Sequence, residues 1–188
     1  MKTLKDIKYE AIYSLARVWC FILYDMIGVH IAIPVPNAAR MSLIRPFTNA
    51  IECKNHIDTN NQKEITLFIC DNNMPLLITN SYFDNTTQLK KINIFCSSDQ
   101  EKDYWTRWRN RYRDRVEEPF LYDELDSKLL LYGLGHIETV RQQFRDNNTM
   151  LTKLEAEKDM IWNSLVDHFT ARINDENRRI QLSEEAEC

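Results

Sequence analysis

"EITLFICDNNMPLLITNSYFDNTTQLKKINIFC", residues 64–96, decides how this chain is read. Its apolar positions recur with a period near two, and three β-branched and aromatic runs stand out, 64–70, 75–83 and 89–96. They are separated by "DNNM" and "DNTTQ". Asn and Asp bond their own backbone and tolerate the left-handed region, so such turns need no glycine. The chain has only three glycines. The expectation is a three-stranded antiparallel meander.

On the N-terminal side, Thr3 and Asp6 have the spacing of a capping box. Ile7, Ala11, Ile12, Leu15, Val18, Trp19, Ile22 and Met26 then recur every three or four residues, which predicts one helix up to Gly28. "VHIAIPVP", 29–36, alternates and ends in prolines, so it reads as a short edge strand. Asn37 is placed to cap a helix that Pro46 interrupts. The apolar run 18–35 carries Asp25 and His30 and is too short to span a bilayer, so no membrane span is expected.

On the C-terminal side, Ser98 and Glu101 form a second capping box, and everything after it reads as helix. Pro119 ends the first of these helices. "LLLYGLGHIETV" reads as two helices joined by a glycine-containing bend. Thr152 caps a last helix, with Leu154, Ile161, Leu165, Phe169 and Ile173 on one face and a frayed tail from Gln181. The fold class expected is α+β: a small antiparallel meander packed by N-terminal helices, residues 1–97, followed by a helical half, 98–188, forming one unit with it. The first part is net +2 and the second net −6, within a total of −4.

"DYWTRWRNRYRDR", 103–115, is the most unusual stretch. An arginine stands at every second position. On a helix over 103–116, Tyr104, Trp105, Trp108, Tyr112 and Val116 share a core stripe. Arg107, Arg111 and Arg115 form one shoulder, and Arg109 and Arg113 the other. Asp103 and Glu117 sit at i, i+4 from arginines, so a solvated, salt-bridged face is the first reading. The alternative is a site for RNA, single-stranded DNA or an acidic partner, since guanidinium groups bind phosphate and carboxylate bidentately. Against it stands the net charge of −4, far from the footprint of a strong nucleic-acid binder. Glu117, Glu118, Asp123, Glu124 and Asp126 form an acidic stretch suited to a basic partner.

Chemistry is harder to find. Cys53 and His56 have metal spacing, but no second pair completes a zinc site. His136-x-Glu138 lacks the cysteines of a deaminase, and the two glycines near it lack the context of a phosphate loop. Five dispersed cysteines suggest a reduced, cytoplasmic protein, in the host cytoplasm if it is viral. No cofactor or metal is expected and no catalytic residue can be named. These readings converge on a non-enzymatic interaction module: a viral, phage or mobile-element accessory protein, inhibitor or adaptor, docking on a protein or nucleoprotein. Nucleic-acid binding through Arg107–Arg115 is the alternative, and an unrecognised enzyme the second alternative.

Overall fold

The computed structural model describes residues 1–24 and 33–186. Its centre is a five-stranded sheet in the order β2-β1-β3-β4-β5, with every pairing parallel. The strands are β1 (Val18–Leu23), β2 (Ile44–Phe47), β3 (Glu64–Cys70), β4 (Leu89–Cys96) and β5 (Phe120–Leu121). The α-helices among the described residues are α1 (Ala50–Asp58), α2 (Met74–Ile78), α3 (Tyr82–Asn85), α4 (Asp99–Arg109), α5 (Leu125–Gln143) and α6 (Asn148–Ala186). This is one of the two common doubly wound strand orders, with the direction of winding reversing between β1 and β3.

The expected antiparallel meander does not form. β3 and β4 pair in parallel, Leu67 beside Ile92 and Ile69 beside Ile94. The middle run, 75–83, is not a strand but the crossover between them, folded as α2, a 3-10 turn and α3. Pro75 sits in the first turn of α2, where its missing N–H costs nothing. Leu77 and Phe83 are buried while Leu76 and Ile78 face solvent. A connection that covers one face of a sheet needs only such one-sided burial. β3, by contrast, is buried on both faces from Leu67 to Cys70, as strands of a parallel sheet are.

The expected helix over 7–28 is also replaced. Thr3 N–H donates to Asp6 Oδ2 at 2.7 Å, so the capping box forms, but it caps a single 3-10 turn. A second turn covers Ala11–Leu15, and Val18–Leu23 is the central strand. Six consecutive apolar residues fit a strand flanked by β2 and β3 and covered on both faces; the helical spacing around them is coincidental. Of the strand expected over 29–36, residues 29–32 lie outside the described residues, as do Asp25 and His30. Beyond them Pro34 makes one isolated antiparallel bridge to Thr3.

Asn37 precedes only a three-residue 3-10 turn, and Asn49 caps α1 instead, its Oδ1 accepting from Ile51 and Glu52 N–H. Pro46 falls in β2, at the sheet edge, where a missing ladder donor is tolerated.

Alternate residues of the strands feed two cores. Cys20, Ile22, Phe68 and Phe95 meet the N-terminal turns, α5 and α6. Phe21, Leu23, Leu67, Ile69 and Ile94 meet α1, α2, α3 and α4. β5, from the second half of the sequence, completes the sheet begun by the first. The expected bend in "LLLYGLGHIETV" is absent, because α5 runs unbroken through both glycines. Gly133 is instead the point of closest approach: a Cβ there would lie 3.1 Å from Ile161 Cδ1 on α6 and 3.3 Å from Leu43 Cδ2. α6 begins at Asn148, ahead of Thr152, with Asn147 Oδ1 accepting from Met150 N–H, and it stays helical to Ala186 rather than fraying from Gln181. Within α6, Glu157 is buried and accepts from the Tyr13 and Ser42 hydroxyls, fastening the helix to the N-terminal segment.

His136, buried on α5, keeps its Nδ1 within 3.0 Å of the Tyr132 hydroxyl, and burial pushes its pKa down to about 4. The unfolded chain therefore binds this proton first. Its contribution is fully present above about pH 6.5 and is lost as pH falls toward 4, on the order of 2–3 kcal/mol. Melting curves from pH 7 to 4.5 should fall less steeply for His136→Phe than for the wild type. Parallel curves would remove His136 from the titration.

Candidate functional site

In an open parallel sheet, ligands bind outside the carboxyl ends of the strands where winding reverses. At that edge stand Tyr24 after β1, Asp71 after β3, Ser97 after β4 and Tyr122 after β5. Asp71 is 3% exposed. Its Oδ1 accepts from Asn72 N–H at 2.8 Å and the Tyr122 hydroxyl at 3.2 Å; its Oδ2 accepts from Ser97 N–H at 3.0 Å and Ser97 Oγ at 3.3 Å. Burial, followed by the bond to Cys70, pushes the Tyr122 phenol well up, so it stays a donor. A carboxylate with four donors is a clamp joining the ends of β3, β4 and the turn after β5. It presents no open oxygen to a substrate.

The cysteines and histidines do not assemble either. Cys20, Cys53, Cys70 and Cys96 are free thiols in the core, and burial pushes each of them up, Cys53 and Cys96 to about 12. Cys53 points into the second core. His56 is held near Arg45, Nε2 to Nη1 at 2.7 Å. No group of three or more His, Cys, Asp or Glu side chains among the described residues is arranged to hold a metal.

The arginine stretch is divided by the end of α4 at Arg109, so the i, i+4, i+8 row expected on a longer helix is not continuous. Trp105 is buried and Trp108 half-buried, with Tyr112 4.7 Å from Trp108 and 5.1 Å from Phe83 in a ring cluster over α3. Tyr104, expected in the same stripe, is half-exposed.

Arg115 Nη2 donates to the Thr86 and Leu89 carbonyls at 2.8 and 2.7 Å, and its guanidinium lies 3.9 Å over Phe83. Burial pushes its pKa down. Arg109 donates to Val116 O and pairs with Glu118 at 2.7 Å. These two fasten the chain between α4 and β5. Arg107, Arg111 and Arg113 are exposed; Arg107 bonds the Asp103 carbonyl and Arg113 the Asn110 side chain.

The acidic residues are scattered in the same way. Glu117 pairs with Lys91 at 2.7 Å, and Glu124 accepts from Leu121 N–H. Asp126 is buried, and both its oxygens accept from Asn37, from N–H at 3.0 Å and from Nδ2 at 2.7 Å. Glu117, Glu118 and Asp123 are exposed, Glu124 is half-buried, and the stretch presents no single acidic face.

The surface that stands out was not singled out from the sequence. α6 is 39 residues long, and its first half packs on the body through Leu154, Ile161 and Leu165. From Val166 to Leu182 every residue is exposed except half-buried His168, a length of about 25 Å. Trp162 (56% exposed), Val166 (46%), Phe169 (43%) and Ile173 (60%) form a second apolar row. It lies about 90° around the helix from the buried row. Phe169 and Ile173, expected beside Leu154 and Ile161, belong to this second row. The signal was available: Trp162 and Val166 are in phase with Phe169 and Ile173 at 3–4 spacing and out of phase with Leu154, Ile161 and Leu165.

The molecule is thus an α+β protein with an all-parallel sheet, a carboxyl edge clamped at Asp71, and a helix that carries an apolar row away from the body. No known protein family matches the chain, and no similarity to a curated protein or to a solved structure is found. No helix among the described residues is long and apolar enough to cross a membrane.

Proposed function

We propose that the chain is a non-enzymatic interaction module that docks on a protein partner through α6. The observation that carries this reading is the row Trp162, Val166, Phe169 and Ile173, exposed on α6 about 90° from the row packed on the body. Apolar side chains at 3–4 spacing are what a helix presents to a hydrophobic groove or a partner helix. Glu176 flanks the row, with Arg172 and Arg179 farther round the same side, and such charges set register and selectivity more than affinity. One such pair is in place, Arg179 with Glu176 at 3.8 Å.

Changing Trp162, Val166, Phe169 and Ile173 together to serine should leave the melting temperature within a few degrees, because exposed positions are replaced. Proteins captured by the wild type under physiological salt should be lost by that variant. They should be retained when the exposed Arg107, Arg111 and Arg113 are changed to glutamine. The nucleic-acid alternative makes the opposite forecast: a shift of single-stranded RNA or DNA that weakens with salt and is lost with the arginines. That result, or capture indifferent to the α6 row, would overturn the proposal.

A further inference from the structure

α1 and the α2–α3 crossover cover neighbouring strands on one face of the sheet and leave a cavity of about 240 Å3 between them. Leu23 and Leu67 form its floor, Ile57 and Leu77 its walls, and Lys54 and Tyr82 stand at its rim. The gap has a local cause. α2 stops after five residues, the Thr79 hydroxyl bonding back to the Pro75 carbonyl at 2.6 Å. Ser81 then adopts φ 54, a left-handed conformation that a non-glycine residue holds only at a cost. The redirected chain delivers Phe83 to the rings of Trp108 and Tyr112, and Phe83 is not among the cavity's walls. The hollow opens to solvent past the exposed Ile51 and Leu76, and an apolar pocket of this size is able to admit a small ligand.

The rim has a definite chemistry. The Lys54 ammonium lies 4.4 Å over the Tyr82 ring and makes no ion pair among the described residues. Asp58, one turn along α1, is engaged by the Tyr82 hydroxyl at 2.8 Å. The mouth therefore holds a positioned cation, with Asp58 tied to the phenol.

We infer that this cavity binds a small amphiphilic carboxylate, its apolar body against Leu23, Leu67 and Leu77 and its carboxylate at Lys54. An apolar cavity of ~150 Å3 takes a benzene, so this volume takes about ten non-hydrogen atoms. Octanoate has that size. The inference does not rest on the α6 surface, and either can fail without the other.

The test titrates the full chain with octanoate, octanol and octylamine, followed by calorimetry and by the leucine and isoleucine methyl resonances. Octanoate should bind saturably, with Kd ~1 mM or below for a ligand of this size, and should shift the methyls of Leu23, Leu67 and Leu77. Octylamine should bind at least tenfold more weakly. Lys54→Met, an exposed change that leaves the core intact, should reduce octanoate binding about tenfold, to the level of octanol. Octanoate that moves none of those methyls would overturn the site. Octylamine or octanol binding the wild type as tightly as octanoate would overturn the carboxylate.

Discussion

Replacing Asp71 with alanine should cost the fold on the order of 3–5 kcal/mol, because it removes a buried carboxylate that accepts four hydrogen bonds at once. Asn72 N–H, Ser97 N–H, Ser97 Oγ and the Tyr122 hydroxyl all converge on one carboxylate that is 3% exposed. The clamp spans the ends of three strands, so its loss loosens the sheet rather than one turn. In a chain of this size each kcal/mol moves the melting temperature by about 2–4 °C, which predicts a fall of about 6–20 °C. Asp71→Asn keeps the shape and one acceptor oxygen, and should recover part of the loss. A variant Asp71→Ala that melts with the wild type would show that the carboxylate is not holding the strand ends.

Trp105→Ala should be comparably damaging, about 3–5 kcal/mol, since it empties the space between α4 and the second core. Trp105 is 4% exposed and meets Tyr104 and Trp108 edge-on, at centroid distances of 4.9 and 5.6 Å. Trp108, half-buried on the same helix, should cost less when truncated, about 1–3 kcal/mol. The Trp105 indole N–H is buried without an acceptor among the described residues. Trp105→Phe should therefore be much milder than Trp105→Ala, because it removes that donor while keeping most of the ring volume. Denaturant titrations of the three variants give the order directly. Equal losses at Trp105 and Trp108 would mean that α4 lies on the sheet by a different face.

The arginine helix shows why residue type alone did not locate a site. Its alternation reads as one surface property, yet Arg115 and Arg109 lock the chain between α4 and β5 by donating to carbonyls. Arg107, Arg111 and Arg113 remain on the outside. Which guanidinium meets a carbonyl depends on where α4 stops and how the chain turns toward Val116. The acidic stretch divides for the same reason, with Asp126 consumed by Asn37.

What the sequence determined by itself was local. The β3 and β4 segments, the Thr3–Asp6 capping box, the Ser98 cap of α4 and the helical character of most of 98–186 follow from period and side-chain chemistry over a few residues. What only the tertiary structure decided was direction and neighbourhood. Ladder pairing does not record strand direction in the period of a segment, so 75–83 passed for a strand between two strands when it is their crossover. β1, enclosed by β2 and β3 and buried on both faces, loses the alternation that marks a strand and borrows the spacing of a helix. Its partners, Ile44 to Phe47 and Glu64 to Ile69, lie tens of residues away. The two rows of α6 were written in one sequence, but only the body packed against Leu154, Ile161 and Leu165 shows which row is core and which is left exposed.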